Sequence, residues 1–388
     1  MQSNFTQGVG PADGSAYFLY HSIGMYPGKA EAMAAAFSAF SQSWGAFDDS
    51  QWATALAMRQ EFIDLWSDLI GAPRGTLTSA ENVTTALYSL VGALPAEHLD
   101  GRTVLVAGDC FPSLHFLLTG LAPRFGFTLR TVPLREGESW VRDEDMISAW
   151  DESVGLALLT FVTSTASHRC DLDALVAHGR KMGSLVGVDI TQGVGLLPFR
   201  ADEPQVDFVV STSLKWIGGT PGAGVLQVAP SLLTTCHPEL RGWFSQENIF
   251  SWDLDSFAYA SDARRFDHGT PSVLACAGSV PALRWLASQD RTSILRHNRE
   301  CGQTIIEAAP ALGMTLVTPP EEARRGGSIM LRLPDGASPA EVVELLRDRN
   351  IYADVRGCIL RLSPGIVTTQ DGIQRLLENL GAIVRAAA

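Results

Sequence analysis

Apolar residues recur at helical spacing through Trp52–Ile70, at Ala55, Leu56, Met58, Phe62, Leu65, Trp66 and Leu69. This pattern predicts an amphipathic helix closed by Gly71-Ala72-Pro73. An alanine-rich helix is predicted ahead of it over Ala30–Ser41, after an irregular arm that ends in Tyr26-Pro27-Gly28. Beyond residue 80 the period changes repeatedly. Helices are predicted over 82–94, 112–122 and 171–182. They alternate with short apolar strands at Thr103–Ala107, Thr128–Pro133, Leu156–Val162, 184–189, 206–210 and 225–228. Strands that are apolar throughout and separated by helices predict a parallel sheet buried on both faces. Ligands of such sheets sit outside the carboxyl ends of the strands. After about residue 272 the texture shifts to helices at 273–287, 291–309, 338–349 and 369–386. Strands near 314–317, 328–333, 351–355 and 358–362 lie among them, predicting a separate α+β lobe. The expected division is an arm over 1–28, a large domain over 29–271 and a small domain over 272–388.

Composition narrows the class. The chain has 388 residues, 46% hydrophobic and 18% charged, which is ordinary for a globular protein and long enough for two lobes. The net charge of −13, without long runs of either sign, argues against a nucleic-acid backbone or an anionic membrane as partner. Six cysteines (110, 170, 236, 276, 301 and 358) are scattered singly. They read as reduced thiols rather than a disulfide frame or metal site. No signal peptide is read in the first thirty residues, and no apolar run reaches membrane-spanning length. The expectation is a soluble cytoplasmic protein without a metal.

The chemistry concentrates at strand ends. Val209-Val210-Ser211-Thr212-Ser213-Leu214-Lys215 carries a β-branched run into a solitary lysine, followed by the glycine-rich stretch Gly218–Gly224. Upstream, Leu185-Val186-Gly187-Val188-Asp189 ends a second apolar strand in a carboxylate. Either residue alone also suits a surface lysine or a helix-capping aspartate. A shielded lysine with a lowered pKa can form a Schiff base. Together with an aspartate for a pyridinium nitrogen, it meets the two fixed requirements of pyridoxal phosphate chemistry.

Other segments fit around this pair, each with an alternative. The helix start at Glu81–Leu87, with Thr84 and Thr85, is an anion site or a plain N-cap. Phe111, after the Thr103–Ala107 strand, stacks on a flat ring or fills the core. Thr270, in the Gly269-Thr270-Pro271 turn, is a further phosphate donor. Arg361, on an apolar strand, binds a substrate carboxylate or an internal one. Cys358 reads as a core thiol. The Gly218–Gly224 loop lacks dinucleotide-fingerprint spacing, and no G-x-S-x-G, H-E-x-x-H or P-loop motif occurs.

These segments resemble the class V aminotransferase group of fold-type I pyridoxal-phosphate enzymes, and within it the kynureninases. The resemblance runs from Tyr17–Pro27 through Asn82–Leu87, Phe111-Pro112-Ser113, Asp189–Pro198, Lys215–Gly224, Gly242-Trp243-Phe244 and Phe266–Leu274 to Arg361. It implies an α/β fold with a mostly parallel seven-stranded sheet between helices, a smaller C-terminal α+β domain, and a homodimer sharing its active sites. It implies that Thr84 and Thr85 hold the phosphate, Phe111 stacks on the ring, Asp189 pairs with the ring nitrogen and Lys215 carries the cofactor. Gln192, Ser211 and Ser213 fall on the cofactor side. Trp243, and Thr270 from the neighbouring subunit, would line the site. Ser22 and Arg361 fall on the substrate side.

Three positions depart from that family. Kynureninases carry tyrosine at the position of Leu214, aspartate at Leu114 and histidine at Gln192. The expected activity is therefore pyridoxal-phosphate chemistry on an α-amino acid, related to hydrolytic Cβ–Cγ cleavage but with a different substrate. Transamination and β- or γ-lyase chemistry are the alternatives, and a non-catalytic scaffold is a third.

Overall fold

The computed structural model describes residues 14–386. The part of the predicted arm before residue 14 lies outside the described residues. In chain order the large lobe contains α1 (Lys29–Trp44), α2 (Gln51–Ile70), β1 (Leu77–Ala80), α3 (Val83–Val91), β2 (Thr103–Ala107), α4 (Pro112–Phe125), β3 (Thr128–Val132), α5 (Asp143–Ser148), β4 (Val154–Thr160), α6 (Leu172–Met182), β5 (Leu185–Asp189), β6 (Phe208–Thr212), β7 (Gly224–Val228), α7 (Pro230–Leu233) and α8 (Val273–Ala287). The chain continues with α9 (Arg291–Ala308), β8 (Thr315–Leu316), β9 (Ile329–Arg332), α10 (Pro339–Arg347), β10 (Asp354–Arg356), β11 (Ile359–Leu362) and α11 (Gln370–Ala386).

The large sheet has seven strands in the order β1-β7-β6-β5-β4-β2-β3. From β3 to β6 all pairings are parallel, while β7 runs against both its neighbours. Side chains alternate across the sheet as the strand period requires. Leu105, Ala157, Val186, Val188 and Val209 face one hydrophobic cluster with α2 and α8. Val104, Leu156, Leu158, Phe208 and Val210 face a second one with α3 and α4. Each fully buried Val, Leu or Phe side chain among these stabilises the fold by about 1.5–3 kcal/mol. Gly187 is required where the strands crowd. It pairs with Phe208, and a Cβ there would fall 1.9 Å from the Phe208 ring.

A second sheet, β10-β11-β9-β8, is antiparallel throughout and carries its own apolar cluster with α9, α10 and α11. By packing, α8 joins the large core through Cys276, Val280, Ala282, Leu283 and Leu286, so the expected division at 272 falls ahead of a helix shared with α2. The N-terminal segment belongs to neither lobe alone. Ala16 and Phe18 lie in the small-lobe cluster, and Tyr17 and Leu19 bridge to Tyr352 and Ser363. Further on, Gly24 N–H donates to Leu214 O at 2.9 Å. No described helix is long and apolar enough to cross a membrane.

Two differences from the expected elements have local causes. β1 has only one large apolar residue and is recruited to the sheet edge by antiparallel pairing with β7. Cys358 is exposed in the turn after Gly357, not buried in a strand, because β11 begins only at Ile359.

Candidate active site

Parallel pairing of β5 with β6 aligns Asp189 with Val210, so the chain beyond Thr212 leaves the sheet beside the Asp189 carboxylate. The following loop carries Lys215 and reverses into β7. It is held by Gly218 N to Lys215 O (2.8 Å), Gly219 N to Ser213 O (2.8 Å) and Thr220 N to Ser279 Oγ (2.9 Å). Gly24 packs against the loop so closely that a Cβ on it would fall 1.8 Å from Lys215 O. The lysine backbone is thus fixed from two sides before any ligand arrives.

Lys215 and Asp189 line one cavity of about 660 Å³, with Phe111, the α3 start and the apolar residues Leu114 and Leu214. Lys215 Nζ stands 5.2 Å from the Phe111 ring centroid. Burial lowers its pKa to about 8, Asp189 pulling it back up and the charges of Arg361 and Arg356 pushing it further down. A substantial fraction of this amine is therefore neutral near pH 7–8 and nucleophilic. Asp189 is buried and its Oδ1 accepts Thr191 N–H at 2.9 Å, while no hydrogen bond to Oδ2 is formed among the described residues. Burial raises its pKa, opposed by the Thr191 hydrogen bonds and by Lys215. A carboxyl so placed gains from a cation set against its open oxygen.

At the other end of the cavity, Asn82 and Thr85 close a capping box on α3, with Thr85 N to Asn82 Oδ1 at 3.0 Å and Asn82 N to Thr85 Oγ1 at 3.2 Å. Both readings of this segment hold together, since the capped helix start also lines the cavity through Thr84 and Thr85. The Thr85 hydroxyl is engaged with the backbone, whereas that of Thr84 makes no hydrogen bond among the described residues. Gln192 lines the cavity too and donates to His21 O at 3.1 Å.

Not every expected residue arrives there. Ser211 and Ser213 alternate with Thr212, and it is Thr212 that lines the cavity. Ser213 Oγ instead accepts Trp66 Nε1–H at 3.0 Å. Trp243 sits in an outward aromatic row, 4.4 Å from Phe244 and 6.2 Å from Trp52 between ring centroids. Thr270 is exposed, between Gly269 and Pro271, which line a small separate pocket with Glu81 and Gly222. Ser22 is half-buried in the N-terminal segment beside His21. Arg361 is buried and paired internally: its Nε donates to Asp354 Oδ1 at 2.7 Å and its Nη2 bonds Asp354 Oδ2, across the β10–β11 register. Sequence reading passed over Thr191, which lines the cavity beside Asp189, and Thr160, whose buried hydroxyl there has no partner among the described residues. The signal was present, because Thr160 ends β4 opposite Asp189.

With this geometry in place, comparison with known proteins is informative. The sequence model of the class V aminotransferase family matches residues 64–376. The chain belongs to that family. A kynureninase of Pseudomonas fluorescens is 25% identical over 357 residues, covering 89% of this chain and 82% of the relative. An uncharacterised aminotransferase, YcbU, of Bacillus subtilis is 25% identical over 338 residues, covering 87% and 86%. Among solved structures, a cysteine desulfurase from Thermococcus onnurineus superposes with a TM-score of 0.84 at 18% identity, covering 96% of this chain and 95% of that one. The cystine C–S lyase C-DES superposes with a TM-score of 0.84 at 19% identity, covering 95% and 97%. At these identities the superpositions establish the fold-type I architecture.

This class V aminotransferase-family chain is a pyridoxal-5′-phosphate-dependent enzyme. The cavity fits that cofactor on its own terms. It offers one nucleophilic lysine, one buried carboxyl with an open oxygen, one aromatic ring beside the lysine, and a helix start with a free hydroxyl. The hydroxyl of Thr160, unpartnered among the described residues, is a polar group that such a ligand can satisfy.

Proposed function

We propose that this protein is a homodimeric pyridoxal-phosphate enzyme that acts on an α-amino acid, of kynureninase-like architecture but with a substrate other than kynurenine. The observation that carries this reading is the convergence of Lys215 and Asp189 from adjacent strands into one cavity, opposite the start of α3. When bound, the cofactor withdraws electrons from the Cα of an amino acid joined to it. Asp189 holds a proton at the pyridine nitrogen. Lys215 would hold the cofactor, and its amine would move the proton at Cα. Thr84 and the α3 N–H groups bind the phosphate, and Phe111 orients the ring. Arg361 does not line the cavity itself but lies close enough for its charge to lower the Lys215 pKa, and with the N–H groups that Asp354 leaves open it would take the substrate carboxylate.

The choice of substrate rests on what surrounds the cofactor site. Hydrolytic Cβ–Cγ cleavage needs water added to a carbonyl, and so needs positioned acids and bases. Leu114 and Leu214 line the cavity where kynureninases have polar groups, and Gln192 is engaged with His21 O. Neither leucine can donate or accept a proton. This favours a second reading, transamination or β- or γ-elimination, from the same Cα deprotonation. The expected result is slow or absent anthranilate release from kynurenine and 3-hydroxykynurenine at saturating cofactor. Turnover in the ordinary enzymatic range, about 1–10³ s⁻¹, would overturn the substrate assignment.

The dimer is supported by a surface that a monomer has no reason to keep. Helix α1 packs on α8, with Phe37 against Gly278, and leaves Phe40 half-buried and Trp44 exposed on its outer side. Rings run from Phe40 to Trp44, Trp52, Trp243 and Trp252 at successive centroid distances of 5.8, 5.2, 6.2 and 6.3 Å. Trp252 is 76% exposed. Contiguous exposed apolar surface of this kind marks an interface, here with a second copy of the chain. Sedimentation should therefore give a dimer. Mixing the inactive variants Lys215→Ala and Thr270→Val should restore part of the activity, by forming one sound site from two subunits. A fully active monomer contradicts the shared site.

A further inference from the structure

A buried polar chain lies behind Arg361. Ser328 Oγ is 2.6 Å from Ser363 Oγ, and Ser363 Oγ is 2.7 Å from His21 Nδ1. His21 Nε2 lies 3.0 Å from Asp354 Oδ1, without the alignment of a full hydrogen bond. Asp354 in turn holds Arg361 through both its oxygens. His21, Ser328, Ser363 and Arg361 are all buried, whereas the Asp354 side chain is 33% exposed. A carboxylate only accepts, so Nε2 carries the imidazole hydrogen, and Nδ1 accepts from the Ser363 hydroxyl, which accepts from Ser328.

Asp354 is the weak point of this chain. Its Oδ1 is shared between Arg361 Nε and His21 Nε2, and its outer side meets solvent. Without the imidazole, Oδ1 loses one of its two neighbours and the carboxylate is free to rotate outward. The Arg361 fork would turn with it. His21 is held in place from the other side as well, because its carbonyl accepts from Gln192 in the cavity wall.

We propose that His21 is a positioning residue which, through Asp354, fixes the orientation of Arg361 as the carboxylate receptor of the active site. The proposal rests on the reading of Arg361 given above. It assigns the N-terminal segment a role in substrate binding that the catalytic lysine and aspartate do not fill. Burial, together with the charges of Arg361 and Lys215, lowers the imidazole pKa against the pull of Asp354, so the ring acts in its neutral form at pH 7.

The test uses the cofactor-loaded dimer and two probes, L-alanine and L-alaninamide, which differ in the carboxylate. Binding of each is followed by the change in cofactor absorbance. Wild type should prefer alanine. In His21→Ala that preference should fall severalfold and at most about tenfold, because the imidazole N–H that faces Asp354 Oδ1 at 3.0 Å is lost. Cofactor content should be unchanged, since His21 does not line the cavity. His21→Gln, which can set an amide N–H against Asp354, should keep most of the preference, whereas His21→Asn, too short to reach, should not. Asp354→Asn should lower it alone and add little in combination with His21→Ala, because both act on one receptor. If His21→Ala does not fold, the contrast of Gln with Asn and the Asp354→Asn variant decide. An unchanged preference in these variants, equal weakening of both probes, or no preference in wild type would each overturn the proposal. A protein that takes up no cofactor fails the functional reading; a coloured protein without the preference fails this inference alone.

Discussion

Lys215→Ala should yield a protein that retains no covalently bound cofactor after borohydride reduction with pyridoxal phosphate and shows no detectable turnover. In wild type the same treatment should fix the cofactor on the peptide that contains Lys215. Two effects add here. The variant removes the one amine in the cavity able to hold the cofactor covalently, and it removes the base at Cα, a loss of about 10²–10⁴ in rate by itself. The pH dependence of cofactor uptake by the apoprotein follows from the direction of the Lys215 shift. Only the neutral amine attacks, and burial brings its pKa down to about 8. The attachment rate should therefore rise with pH and level off above about 8, well below the range of an unburied lysine. A plateau reached only near pH 10 would mean that the amine is solvated in the protein, and wild-type uptake without a label on Lys215 would remove the functional assignment altogether.

Asp189→Asn should separate binding from chemistry. The amide retains the size of the side chain and an oxygen for Thr191 N–H, so the cofactor should still attach to Lys215. It cannot hold a proton at the pyridine nitrogen by charge. Breaking a buried ion pair on one side costs about 3–5 kcal/mol, which at about 1.36 kcal/mol per tenfold is about 10²–10⁴ in rate. Single-turnover measurements with the best amino acid from a substrate screen provide the check. Near-normal rates would show Asp189 to be a helix-capping aspartate after all.

The parts of the site that sequence revealed are those encoded by one strand and its end. Continuous apolar runs identified β2, β4, β5 and β6 because both sheet faces are covered. Lys215 and Asp189 were conspicuous as charges at their tips. β1 escaped because Leu-Thr-Ser-Ala shows no apolar run, and its strand identity comes from pairing with β7. The Arg361 partner escaped for a related reason. Asp354 and Arg361 face each other only through the hairpin register, and no local pattern counts residues across a turn. Thr212 and its neighbours were open to a finer reading, since strand alternation allows only one parity of the Ser-Thr-Ser run to face the cavity. Trp243 matched the family by neighbourhood, but its surroundings are set by Trp52 on α2 and by Trp252.

The knitting of the N-terminal segment to both lobes also constrains the order in which this molecule can be finished. Thr369 N–H donates to Ser15 O, Ser363 N–H to Phe18 O, and Tyr352 N–H to Ala16 O, while a few residues later Gly24 N–H supports the lysine loop through Leu214 O. These contacts join the first described residues to some of the last. Contacts of such long sequence separation form late, since the intervening chain must be closed first. During synthesis the large sheet can assemble as its strands emerge, yet residues 15–18 find their partners only once the ribosome has released β11 and the start of α11. A nascent chain stalled before that point would hold a lysine loop whose outer brace is still unanchored, so the cofactor site is completed only after β11 and the start of α11 have emerged.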